Sequence, residues 1–256
     1  MSSTIDLEVT DRVGTLTVDR PDKLNALNRT TLEAMGDAVE EARDANVRVL
    51  ILTGAGDDAF VAGADISAMQ DLSPDEAHEY ARLGHAVVDA IHAYPGPVIA
   101  AINGYAFGGG AELALASDLR VASERAVIGQ TEIDLGIIPG WGGTQRLPRL
   151  VGDEMARRLI FFGDRVDASD AHEIGLVGDV IAHDELYDHV EGVAADLAAK
   201  PGFALASAKE AINQREETSL SAGLDFERRT WAGLFGTHDQ REGMAAFLED
   251  REPEFE

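Results

Sequence analysis

The sequence predicts an α/β core followed by a small, wholly helical domain. Three observations carry this. Apolar residues alternate between strand-like and helical spacing up to about residue 200, and the segments after Pro201 keep helical spacing only. A chain of 256 residues is also long enough to bury one large core, or a core with a smaller appendage.

The elements follow in order. Ile5, Leu7 and Val9 and then Val13, Leu16 and Val18 read as two strands joined by a turn at Asp11 to Gly14, a hairpin. Asn28 to Asp44 reads as an amphipathic helix with Thr30 as its cap, and Val47 to Thr53 as a fully buried strand ending at Gly54. Ser73 caps a second helix that runs to about Ala93. Pro97 to Ile102 is another apolar strand, Gly109 to Ala116 a short helix, and Leu119 to Ala122 a further strand. Phe203 to Arg215, Ser219 to Phe235 and Asp239 to Arg251 all have helical spacing. The domains expected are therefore residues 1–200 and 201–256.

Charge narrows the partners. The chain has 47 Asp and Glu against 21 Lys and Arg, a formal charge of -26. Such a field repels nucleic acid and anionic lipid, so neither is an expected partner. Lysine occurs only at Lys23, Lys200 and Lys209, and this scarcity, with the acidic excess, resembles proteins adapted to molar salt. With no cysteine, thiol nucleophiles, disulfides and zinc-thiolate clusters are excluded. The opening MSSTIDLEVTDR has no apolar segment for export. The apolar stretch Pro97 to Ser117 is broken by four glycines, Asn103 and Glu112, which marks a buried core segment rather than a membrane span. The expected location is the cytoplasm.

Two apparent motifs dissolve on inspection. Gly54-Ala55-Gly56 follows a strand as a dinucleotide fingerprint would, but Asp57 and Asp58 would face the pyrophosphate, so a plain turn is the better reading. His78, His85 and His92 recur every seven residues. Seven helical residues span ~10.5 Å, too far for two of them to share one ion, and solvated side chains are expected. No metal site is expected.

Two carboxylates remain. Glu112 is the lone charged residue of INGYAFGGGAELALAS, and Glu132 lies in AVIGQTEIDLGIIPGWGGTQRL among Ile133, Ile137 and Ile138. A buried, unpaired carboxylate costs several kcal/mol if charged, so each needs a partner, a raised pKa or a chemical task.

The blocks AFVAGADISAM (59–69), AAINGYAFGGGAELALASD (100–118) and IGQTEIDLGIIPGWGGTQRLPR (128–149), with RPDKLNALN near the start and REGMAAFLEDR near the end, resemble the signature blocks of the enoyl-CoA hydratase (crotonase) family. The resemblance covers nearly the whole chain. It implies a spiral of ββα units, a C-terminal helical domain that packs trimers or hexamers, and an acyl-CoA thioester as substrate, with no separate cofactor. It implies that the N–H groups of Ala64 and Gly109 hold the thioester oxygen, where the triple glycine 108–110 permits a close backbone approach at a helix N-terminus. It implies that Glu112 activates a water and Glu132, protonated, delivers hydrogen to C2, while Gly140 positions the water or the acyl chain. Lys23, Ala26, Ala62, Asp65, Ile66 and Lys209 fall where the family meets coenzyme A.

Two features depart from the commoner pattern. The terminal EDREPEFE is acidic where relatives often end in basic residues, and Trp141 stands where a small residue is frequent. An indole beside Gly140 would shorten the acyl pocket. Alternatives within the same class are a Δ3,Δ2-enoyl-CoA isomerase or another acyl-CoA enzyme. An RNA-binding relative is opposed by the charge.

Overall fold

The computed structural model describes residues 4–256, the Glu216 side chain excepted; the first three residues of the expected core lie outside them. β1 (Ile5–Thr10) and β2 (Val13–Val18) pair as the expected hairpin, with Leu7 opposite Leu16. The turn is shorter than expected. Asp11 and Arg12 make it alone, both at positive φ (47° and 68°), a geometry whose twist matches that of the flanking strands. Gly14 is already inside β2, opposite Val9. The cap of α1 (Arg29–Asp44) is Asn28 rather than Thr30: its Oδ1 accepts from Thr31 N at 2.9 Å and from Thr31 Oγ1 at 3.0 Å. Asparagine is the stronger cap of the two, so the helix starts there.

Then comes a repeated pattern of two strands and a helix. The first turn is β3 (Val49–Gly54), β4 (Ala59–Val61), α2 (Ile66–Met69) and α3 (Pro74–His92). The second is β5 (Val98–Ile102), β6 (Tyr105–Phe107) and α4 (Gly109–Ala116). The third is β7 (Leu119–Ser123), β8 (Val127–Gly129), α5 (Gly143–Val151) and α6 (Asp153–Phe162). β9 (Arg165–Asp167), α7 (Ala168–Glu173), β10 (Asp179–Ile181) and α8 (Leu186–Ala198) complete the core. The larger sheet runs β1-β2-β3-β5-β7-β10 and the smaller β4-β6-β8-β9. The first strand of each pair thus joins the large sheet and the second the small one, which winds the chain into an α/β spiral.

Period-2 alternation decides what each face of the large sheet covers. Leu50, Leu52, Val98, Ala100 and Ile102 point into the main core with α1, α3 and α4. Val49, Ile51, Ile99, Ala101 and Val121 point the other way, onto Leu186, Val190 and Ala194 of α8. Burial on both faces explains why β3 and β5 read as continuous apolar runs. The stretch 97–117, apolar enough to suggest a span, is β5, β6 and α4. Among the described residues no helix is long and apolar enough to cross a membrane.

After residue 200 come α9 (Gly202–Asn213), α10 (Leu220–Leu234) and α11 (His238–Glu249). α9 is tied to the core by Lys209, whose Nζ donates to Asp118 Oδ2 at 2.7 Å and to Gly96 O at 3.0 Å. α10 and α11 leave large apolar side chains in solvent, among them Leu220, Trp231, Phe247 and Leu248. Of the three spaced histidines, His78 and His85 are exposed and His92 is half-buried.

Candidate active site

One cleft of about 410 Å3 opens where α2, α3 and the start of α4 meet the segment after β8. That volume lies in the range that small-molecule sites occupy. Its lining is mostly apolar, and it contains Ala64, Gly109, Glu112, Glu132, Gly140 and Trp141.

The backbone supplies two donors. Gly108 takes φ 48°, a left-handed turn open to glycine, and so swings the chain from β6 into α4. Gly109 is the first residue of α4, where an N–H has no intrahelical acceptor. Across the cleft, residues 62–65 run beside 24–27. Leu27 N–H donates to Gly63 O at 2.8 Å and Leu27 O accepts from Asp65 N–H at 2.7 Å, a parallel bridge that leaves the intervening Ala64 N–H unused. Among the described residues neither the Ala64 nor the Gly109 N–H has a protein acceptor.

The two carboxylates share the cleft but not their surroundings. Glu112, one turn into α4, is 2% exposed. Its Oε1 accepts from the backbone N–H groups of Trp141 and Gly143, both at 2.7 Å. Burial pushes its carboxyl above the usual range, and those two donors pull it back, helped by His85 and Arg146. Glu132 opens the 3-10 turn Glu132–Leu135 and is also buried. Burial, joined by the charge of Glu112, raises its carboxyl to about 7 against a lowering by its own backbone N–H. With its amide turned so that the NH2 faces Glu132, Gln130 donates to Oε1 at 3.1 Å and Oε2 at 3.2 Å.

The enoyl-CoA hydratase/isomerase family profile matches residues 8–256. The chain is 45% identical over 250 residues to crotonyl-CoA hydratase of Syntrophomonas wolfei, covering 97% of this chain and 96% of that one. The chain belongs to the enoyl-CoA hydratase/isomerase family. It is also 42% identical to short-chain-enoyl-CoA hydratase of Clostridium acetobutylicum, over 97% of this chain and 95% of that one. The solved enoyl-CoA hydratase of Bacillus anthracis superposes with a TM-score of 0.95 at 39% identity, with 98% of each chain covered.

The cleft brings together part of the expected set. Ala62, Ala64, Ile66, Gly109, Glu112, Glu132 and Gly140 border it, and apart from Gly140 and its two chain neighbours no described heavy atom stands within 4 Å of where a Gly140 Cβ would be. Four residues expected at coenzyme A stand outside the lining. Lys209 is held in its pair with Asp118, 9% exposed, and burial lowers its pKa against that pair. The Asp65 carboxylate accepts from Ser67 Oγ at 2.6 Å and from Arg20 Nη2 at 3.1 Å, and these donors hold it below the usual range. The Ala26 carbonyl accepts from Arg20 Nη1. Lys23 is exposed at the end of the 3-10 turn Pro21–Lys23.

Several cleft features had no mark in the sequence. Backbone donors from Trp141 and Gly143 carry no side-chain signature. Tyr80 and Phe107 border the cleft as ordinary apolar positions of α3 and β6. His85, expected to be merely solvated, is near enough to Glu112 to favour its charged form.

Proposed function

We propose that this chain is an enoyl-CoA hydratase that adds water reversibly, in the syn sense, to a trans-2-enoyl-CoA to give the 3-hydroxyacyl-CoA. The observation that carries this reading is one cleft holding two buried carboxylates beside two backbone N–H groups that lack acceptors. Hydration needs that set. The Ala64 and Gly109 N–H groups would stabilise the charge that develops on the thioester oxygen as C3 is attacked, and the N-terminus of α4 adds its dipole.

Glu112 accepts the proton of water as the oxygen bonds to C3, and Glu132 gives its own proton to C2. One proton then moves back between the carboxylates to reset the pair, so the titrations are coupled. The donors on Glu112 suit the residue that must be ionised first. The raised carboxyl of Glu132 suits the one that must start protonated. Ala62 and Ile66 would line the path of the pantetheine and Gly140 the reacting region. Coenzyme A enters as part of the substrate, and no separate cofactor is required. Activity assayed against a panel of 2-enoyl- and 3-enoyl-CoA esters tests the reading. Loss of the enoyl absorbance with 2-enoyl esters is expected, whereas turnover of 3-enoyl esters without hydration would give the isomerase reading instead.

The division into a core (1–200) and a helical domain (201–256) has a stated purpose in the same reading. The exposed apolar residues of α10 and α11 are the surface through which copies of this chain associate as a trimer or a pair of trimers. The charge of -26 adapts the assembly to molar salt, in the cytoplasm, without nucleic acid or membrane as partner. Light scattering and melting in potassium chloride from about 1 M down to about 0.1 M test both, because the Debye length grows over that range from ~3 Å to ~10 Å. A trimer or hexamer that loses stability on dilution is expected. A monomer, or a melting temperature independent of salt, would remove the corresponding half.

A further inference from the structure

Trp141 does two things at the cleft. Its backbone N–H holds Glu112 at 2.7 Å, while its indole, 4% exposed, lies between two helices. One edge of the indole packs against Gly84 of α3 and the other against Gly109 of α4: a Cβ on either glycine would overlap the ring. The Tyr80 ring closes a third side, 5.9 Å away and tilted by 53°. Gly84 stands in the middle of a 19-residue helix, a position where glycine is unfavourable unless packing requires it. Here packing does. Gly84 and Gly109 together form a notch matched to one large ring.

We infer that Trp141 is the residue that ends the acyl arm of the cleft and restricts the enzyme to short acyl chains, with Gly84 setting how deeply the ring sits. This rests on the acyl-CoA hydratase reading above. Gly109, whose N–H is placed to hold the thioester oxygen, is in contact with the indole. An acyl chain leaving that carbonyl therefore meets the ring within a few carbons. In an open apolar channel each added methylene would tighten binding about fourfold. Against a wall, added methylenes gain nothing and then clash.

The test uses saturated thioesters, which bind without turnover, so it is independent of whether hydration is the reaction. Affinities of butyryl-CoA and decanoyl-CoA are measured by calorimetry for the wild-type protein, Trp141→Ala, Trp141→Phe and Gly84→Ala. The wild type should bind decanoyl-CoA no tighter than butyryl-CoA. Trp141→Ala should shift that ratio toward decanoyl-CoA by about tenfold or more, and Trp141→Phe by less in the same direction. Gly84 does not border the cleft, so Gly84→Ala acts through the ring: it should weaken butyryl-CoA in the wild type and leave the ratio unchanged in the Trp141→Ala background. If Trp141→Ala fails to fold, Trp141→Phe and Gly84→Ala still decide. A ratio that stays within about twofold in every folded variant overturns the assignment. So does a Gly84→Ala effect that persists without the indole. Binding that follows chain length as expected, in a protein that hydrates nothing, would instead retain the gate and reject the hydratase reading.

Discussion

Glu112 and Glu132 face the same cleft, yet the two regions that hold them are built on different terms. Glu112 is on a helix, α4, clamped between β4 and the 139–143 loop, and its charge is met by two backbone N–H groups. Glu132 is on a short 3-10 turn next to exposed Leu135, Ile137 and Ile138, and its side-chain partner is the Gln130 amide. Glu112 is the more deeply buried of the two, 2% exposed against 9% for Glu132, yet it is Glu132 whose carboxyl is raised to about 7. Desolvation acts on both, but only one site has backbone donors aimed at it from another segment. In the proposed reaction this contrast would fit Glu112 to the role of base and Glu132 to that of acid, although both are the same residue type.

The largest expected effect breaks the pair. Glu112→Gln and Glu132→Gln keep shape and an accepting oxygen but cannot exchange the proton. Each should lower kcat for crotonyl-CoA hydration by ~100- to 10,000-fold while the Kd of butyryl-CoA barely changes. Because both groups act on one transition state, the double variant should be far less than multiplicatively worse. Retention of more than about half the activity in either single variant would remove that residue from the mechanism.

Next in size is the cost of keeping Glu132 ready. Its folded pKa, about 7, lies above the ordinary 4.5, so the folded state binds the proton more tightly than the unfolded one. The associated stability is complete below about pH 4.5 and is lost as pH rises through about 7. Glu132→Gln removes this dependence. The variant should gain up to about 3 kcal/mol over the wild type on going from acid to about pH 8. In the wild type, kcat/KM should fall above about pH 7 as the acid loses its proton. Urea unfolding of both proteins across that range is the check; a stability difference that does not change with pH would mean that Glu132 is not held protonated.

What was legible in the sequence divides along the same line. Glu112 stood out because a charge in an apolar, glycine-rich run violates the ordinary cost of burial. The strands β3 and β5 stood out because a buried parallel strand is continuously apolar. By contrast, β4, β6, β8 and β9 have three residues each, too few for alternation to register. Asn28 as the cap of α1 was hidden by the neighbouring Thr30, which is also a capping residue type. Lys209 was placed at the coenzyme by the resemblance alone, and its pairing with Asp118, which joins α9 to the core, had no mark in the sequence. Nor could the sequence reveal that Trp141 and Gly143 hold Glu112 through their main chain, since any non-proline residue offers the same donor.

The smallest expected effect sharpens the comparison at Arg146. This side chain, 17% exposed, donates from Nη1 to the Trp141 carbonyl at 3.2 Å and from Nη2 to Asp89 Oδ1 at 3.1 Å. It ties the 139–143 loop to α3. Trp141 is one of the two residues whose N–H groups hold Glu112, so Arg146 acts on the proposed base through one residue, and its charge also favours the ionised carboxylate. Arg146 is a positioning residue in this account. Arg146→Met should lower kcat by about tenfold with little change in KM, because the geometry of the base matters more to the transition state than to binding. It should also move the acid limb of kcat/KM to higher pH, since removing the cation raises the pKa of Glu112. Arg146→Lys keeps the charge but loses the fork that spans carbonyl and carboxylate, so it should restore the limb more fully than the rate. A structural role alone would lower stability and leave the pH profile where it was. If the limb does not move in Arg146→Met, the link from Arg146 through Trp141 to Glu112 is broken, and the two backbone donors hold the base without it.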